Sequence, residues 1–131
     1  MANIEENLYR IVTTAPAVIA LMSDRLYPVV LPQGVTMPAA SYRQISDVPY
    51  VTHSHPNGLE RTRYEFNVEA DQWSEAKSLA DALITVLSGY RRGAGDTVRI
   101  DGIFLMNRFQ DYDDNTGIHR EILDFRVYHA S

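Results

Sequence analysis

The run Leu59-Glu60-Arg61-Thr62-Arg63-Tyr64-Glu65-Phe66-Asn67-Val68-Glu69-Ala70 decides the fold class. Thr62, Tyr64, Phe66, Val68 and Ala70 alternate with Arg61, Arg63, Glu65, Asn67 and Glu69; successive side chains of a strand point to opposite faces, so this period marks a half-buried strand. Directly afterwards the period changes. Ala76, Leu79, Ala80, Leu83, Ile84 and Leu87 recur at helical spacing, with Asp71 or Ser74 as the expected N-cap and Gly89 past the end. A strand with one apolar face, followed by a helix with one apolar stripe, predicts a helix lying on a sheet.

Working outward, Ile4, Leu8, Ile11 and Val12 share one side of a helix over residues 4–13, and Asn3 with Glu6 has capping-box order. Thr14-Ala15-Pro16 breaks that helix and opens a second one over Ala17 to Met22, since proline is tolerated in a first turn. Leu26, Tyr27, Val29, Val30 and Leu31 favour a strand, but Pro28 and Pro32 lack the N–H of a central strand, so an edge strand running into a loop is expected. Residues 39–52 read as another strand, and Pro56-Asn57-Gly58 as the turn of a hairpin into residues 59–70. Beyond the helix, Arg91 to Gly95 reads as a flexible connector, Val98 to Leu105 as a strand with Gly102 as a bulge, and Gln110 to Gly117 as a polar, acidic loop. Leu123, Phe125 and Val127 alternate against Asp124, Arg126 and Tyr128 in a last strand. The expected class is α+β: a mostly antiparallel sheet of about five strands, with a long helix and short N-terminal helices on one face. Residues 1–131 read as a single domain.

Composition narrows the function. The chain has 131 residues, 45% of them hydrophobic and 22% charged, which suits folding by core burial. No cysteine is present, which removes thiol catalysis, thiolate metal sites and disulfides. A net charge of -5 disfavours gripping nucleic acid through its phosphates. The basic residues are arginines apart from Lys77, and guanidinium groups suit planar ion pairs at protein surfaces. No signal-like start or membrane-length apolar run is seen, so a soluble, non-secreted protein is expected.

Motifs for chemistry are weak. His53-Ser54-His55 could place two imidazoles on one side of an extended chain, but a solvated loop explains them without a partner. His119 and His129 have no serine motif nearby. Asp111, Asp113 and Asp114 form the densest acidic cluster and lack the offsets of a calcium loop. No catalytic, cofactor or metal residue is therefore expected. Assembly is better supported: edge strands near Leu26 to Leu31 and near the C-terminus would leave N–H and C=O groups open, and Arg61, Arg63, Arg120 and Arg126 offer donors to carboxylates on a neighbouring subunit.

Read as a whole, the chain resembles the tail completion, or tail terminator, family of long-tailed bacteriophages. The resemblance runs from about Leu8 to Tyr128. It rests on Asp24-Arg25-Leu26-Tyr27-Pro28, Leu31-Pro32-Gln33-Gly34, Met37-Pro38-Ala39, Ser74-Glu75-Ala76, Leu79-Ala80-Asp81-Ala82-Leu83, Thr116-Gly117-Ile118-His119-Arg120 and Leu123-Asp124-Phe125-Arg126-Val127. What the resemblance implies is a non-enzymatic structural virion protein. It would form a homo-oligomeric ring, expected to be a hexamer, at the head-proximal end of the tail tube, assembled in the host cytoplasm. The ring would stop tube growth and meet the tail tube protein and the head–tail connector proteins, with DNA crossing its lumen unbound and no membrane involved. Gln33, Gly34, Val35, Asn115, Arg61, Arg63 and Arg126 are the candidate contacts, and Asp111, Asp113 and Asp114 the candidate acidic lining. Another head–tail connector component, an adaptor or stopper, and a small ligand-binding module are the competing readings.

Overall fold

The computed structural model describes residues 3–50 and 59–130. Helix α1 (Ile4–Thr13) starts where the Asn3 side chain accepts the Glu6 N–H at 2.8 Å, as the capping box predicts. Helix α2 (Pro16–Met22) has proline in its first turn and ends at Ser23, whose φ of 54° cannot continue a helix. Then come β1 (Leu26–Pro28), β2 (Ala39–Tyr50), β3 (Leu59–Ala70), α3 (Trp73–Leu87), β4 (Ile100–Asp113) and β5 (Ile118–Ala130). The five strands form one sheet in the order β1-β2-β3-β5-β4, antiparallel except for the parallel β1–β2 pair. The class is α+β, as the alternation over residues 59–70 and the helical spacing after it require.

The helices cover one face. Tyr64, Phe66 and Val68 of β3 and Leu123, Phe125 and Val127 of β5 are fully buried with Leu79, Leu83 and Leu87 of α3 and Leu8 and Val12 of α1. Phe66 stacks on Tyr42 at 5.7 Å and meets Phe125 edge-on at 5.6 Å, an arrangement favoured by the ring quadrupoles. Buried Asn7 of α1 donates to the Thr97 hydroxyl at 2.9 Å and accepts the Thr97 N–H at 2.9 Å, which ties the first helix to the approach of β4.

Several expectations need correction. Helix α3 is capped by Gln72 in extended conformation with no side-chain bond, so neither Asp71 nor Ser74 is its N-cap: the chain stays extended through Gln72, and Ser74 already lies inside the helix. The strand at Leu26 ends at Pro28, because Val29 turns to a φ of 67° to donate its N–H to the Tyr42 carbonyl at 2.8 Å. The connector 91–95 is held rather than free. Asp96 accepts from Arg10 at 2.5 Å, from the Tyr90 hydroxyl at 2.6 Å and from the Gly93 N–H at 2.7 Å. A Cβ on Gly93 would lie 1.9 Å from that hydroxyl, so any other residue there would have to displace the Tyr90 side chain from Asp96.

The largest correction concerns residues 110–113, which are strand rather than loop. Asp111 sits opposite Arg120, and the Tyr112 ring packs on His119 at 4.7 Å, so cross-strand pairing overrides the polar composition. The turn is confined to residues 114–117 and closes through the Gly117 N–H on the Asp113 carbonyl at 2.8 Å. The C-terminal strand is internal, and β4 is the sheet edge instead. The β2–β3 hairpin is formed with Tyr50 opposite Leu59, while its expected turn at Pro56-Asn57-Gly58, and the pair His53 and His55, lie outside the described residues.

Candidate functional site

Because the helices take one face of the sheet, the other face of β3, β5 and β4 presents the second half of each alternating pattern. Register sets its rows: Arg61 opposite Tyr128, Arg63 opposite Arg126, Glu65 opposite Asp124, Asn67 opposite Ile122 and Glu69 opposite Arg120. On the far side of β5, β4 adds Phe104 opposite Arg126, Asn107 opposite Asp124, Phe109 opposite Ile122 and Asp111 opposite Arg120. Phe104 and Phe109 are half exposed, and Phe104 meets Tyr128 edge-on at 5.8 Å. Such aromatic side chains among arginines are the composition of interface cores.

Charge is divided along this face. At one end Arg61, Arg63 and Arg126 lie on adjacent rows of the register, and Arg63 holds Asp124 through both its Nη2 and, at 3.4 Å, its Nε. That hydrogen bond and the attraction of Asp124 raise the Arg63 pKa above its ordinary value. Arg61 and Arg126 join no ion pair among the described residues, and the Nε of Arg126 is buried without a hydrogen-bond partner there. Like charges directly opposite in a sheet are destabilising; Asp124 offsets Arg63, while Arg126, which faces it, is left without a carboxylate of its own among the described residues. At the other end Glu69, Asp111 and Asp113 surround Arg120, at 3.4, 3.8 and 3.6 Å, with exposed Asp114 just beyond in the turn.

The structure therefore brings Arg61, Arg63 and Arg126 together and separates them from the aspartates. Asp111 and Asp113 are strand residues on the same face, and Asp114 and Asn115 form the hairpin tip. Exposed Gln33 and Gly34 and half-buried Val35 lie in the loop between β1 and β2, where Gly34 and Val35 line an open cleft of about 580 Å³ together with Glu69 and Asp71. Sequence reasoning missed Phe104 and Phe109, and also Val29 and Val30, which are 68% and 71% exposed beside the short strand β1. An extended reading of residues 106–113 would have put Phe109 on a surface strand. No group of three or more His, Asp or Glu side chains among the described residues is placed to hold a metal ion, and no helix there is long and apolar enough to cross a membrane.

Asp113 is lowered from the usual carboxylate pKa, first by the Asn115 N–H that donates to its Oδ1 at 2.9 Å, then by bonds from Thr116 and attraction to Arg120. A depressed folded-state pKa means that this stabilisation is present above the carboxylate's unfolded value and is lost as pH falls through the folded one. NMR titration of Asp113 should give a midpoint below that of an aspartate in an unstructured peptide, with the Asn115 amide shift following it. A midpoint at or above the peptide value would mean that the turn is not closed in this way.

Among known proteins, the family model described as tail completion protein gp17 matches residues 6–130. A chain in the solved structure titled "Virion of native gene transfer agent (GTA) particle" has a TM-score of 0.72, covering 95% of this chain and 92% of that one at 18% identity, a likeness of fold. No curated protein matches the sequence.

Proposed function

Since this chain belongs to the tail completion protein gp17 family, and is thereby a structural component of a virion tail, we propose that it forms a ring at the head-proximal end of the tail tube. Six copies is the number we propose, acting as one domain each. The ring ends tube polymerisation and presents its far side to the head–tail connector proteins, and it assembles in the host cytoplasm. The family match over residues 6–130 supports this reading, and one structural observation carries it: a sheet face left without helices, in which like charges oppose each other and aromatic rings stand half exposed. A closed ring needs two unlike patches on each subunit, so that each copy offers one to each neighbour.

DNA crosses the lumen unbound in this proposal. A net charge of -5 supplies carboxylates for a lining that lets phosphates slide, with Asp114 at the exposed tip as the candidate contributor. The loop of Gln33, Gly34 and Val35 and the tip residue Asn115 are proposed as contacts to tube or connector. No bond is made or broken in this role. Electron microscopy of purified tail tubes with and without the protein should show ends capped by a ring and growth arrested after its addition. Tubes that elongate equally with bare ends would sink the proposal, and a ring found only on connectors would favour an adaptor or stopper.

A further inference from the structure

We propose that the three-arginine end of the uncovered sheet face is the seat for the acidic β4–β5 arm of a second copy of this chain. The inference rests on the self-assembly reading above and names its contact. The first ground is charge complementarity. Of Arg61, Arg63 and Arg126 only Arg63 has an internal carboxylate among the described residues, Asp124, whereas Glu69, Asp111 and Asp113 share one internal guanidinium, Arg120. Each end therefore carries an excess that the opposite end of another copy neutralises. The two ends cannot neutralise each other within one chain, because six or more strand residues at ~3.4 Å each separate Arg126 from Arg120 and the turn.

The second ground is an orphan donor. The Arg126 Nε is removed from water and has no acceptor among the described residues, a costly placement for a guanidinium N–H that is relieved when the side chain turns outward to a carboxylate on another molecule. The third ground is reach. From Phe109 to Tyr112 the β4 residues are exposed on both faces, so this part of the hairpin stands clear of the helical layer and the Asp111 carboxylate is accessible to a neighbour, with half-buried Asp113 beside it. Carboxylate and guanidinium meet in a planar, two-point geometry, which fixes orientation as well as attraction. Phe104, beside Arg126, supplies apolar surface for the arm to cover.

The arrangement is head-to-tail, since arm and seat are different surfaces of one chain, and this dictates the test. Two full-length variants are made, Arg61→Glu with Arg126→Glu in the seat, and Asp111→Arg with Asp113→Arg in the arm. Arg126→Glu places a carboxylate opposite Arg63, so the seat variant keeps a favourable cross-strand pair. Asp111→Arg alone leaves the Asp113 turn intact and replaces the arm variant if the double substitution unfolds. Native mass spectrometry and analytical ultracentrifugation read the assembly, and circular dichroism reads the fold.

Wild type should assemble, each variant alone should be a folded monomer, and an equimolar mixture should recover the assembly with alternating subunits, because seat and arm charges are then opposite at every contact. Variants that assemble as wild type does would overturn this contact while leaving self-assembly intact. Failure of the mixture to recover would likewise overturn it. A wild type that stays monomeric at every concentration and on tubes would remove the self-assembly reading itself. The seat could also take phosphate oxygens: a seat variant that assembles normally but no longer retains duplex DNA that wild type retains would assign the arginines to nucleic acid instead.

Discussion

Replacing Phe66 with alanine should lower the folding free energy by about 3–5 kcal/mol, the range for deleting a buried aromatic side chain. Phe66 is fully buried and joins two layers of contact. It stacks on Tyr42 of β2 at 5.7 Å and meets Phe125 of β5 edge-on at 5.6 Å, so one ring couples three strands of the sheet. The surrounding side chains belong to a sheet whose register is set by backbone bonds, which limits how far they can relax into the space. The expected fall in Tm is roughly 10–20 °C, from the usual entropy of unfolding for a domain of this size. Urea denaturation and calorimetry check it. A loss under about 1 kcal/mol, below the range for such truncations, would show that the aromatic column is not the centre of the core.

A substitution of Arg108 by methionine should be comparably damaging for a different reason. Arg108 Nη2 and Nε hold Glu121 Oε1 at 2.5 and 3.0 Å, and its Nη1 reaches Asp81 of α3 at 2.8 Å. Burial opposes the Arg108 charge, but the bonds and attraction from Glu121 and Asp81 outweigh it and raise its pKa above the ordinary value. Glu121 is 1% exposed, and its Oε2 already lacks a partner among the described residues. Removing the guanidinium therefore strands a carboxylate away from water, which typically costs about 3–5 kcal/mol. The double variant Arg108→Met with Glu121→Leu should regain most of that loss, because replacing both members of a buried pair with apolar groups is often neutral. A double-mutant cycle measures this coupling. If the double variant is as unstable as Arg108→Met alone, the damage comes from lost packing or from the α3 link through Asp81.

Much of the architecture was legible because single segments carried it. The alternation from Thr62 to Ala70 and the helical spacing from Ala76 to Leu87 each identify an element without reference to the rest of the chain, and Asn3 with Glu6 marks the start of α1. Residues 110–113 depart from the local reading for the converse reason. Their composition is that of a loop, and only the opposing Arg120 and His119 make them a strand. The edge position of β4 followed the same logic, since strand order depends on which strand docks beside β3 and no local pattern encodes that choice.

The assembly residues divide in the same way. Arginine chemistry drew attention to Arg61, Arg63 and Arg126 one by one, but their clustering, and the burial of the Arg126 Nε, exist only once β3 and β5 are in register. The pairing of Glu121 with Arg108 gave no local signal either, being a contact between strands that bends back to α3.

By itself, the amino-acid order determined the α+β class, the span of most elements and the tail completion family, because periodicity, caps and motif order are properties of neighbours along the chain. Only the tertiary structure decided which strand forms the edge, which face the helices leave open and how charge is divided across it. Those features arise from contacts between segments far apart in sequence, and their energies depend on distance in space.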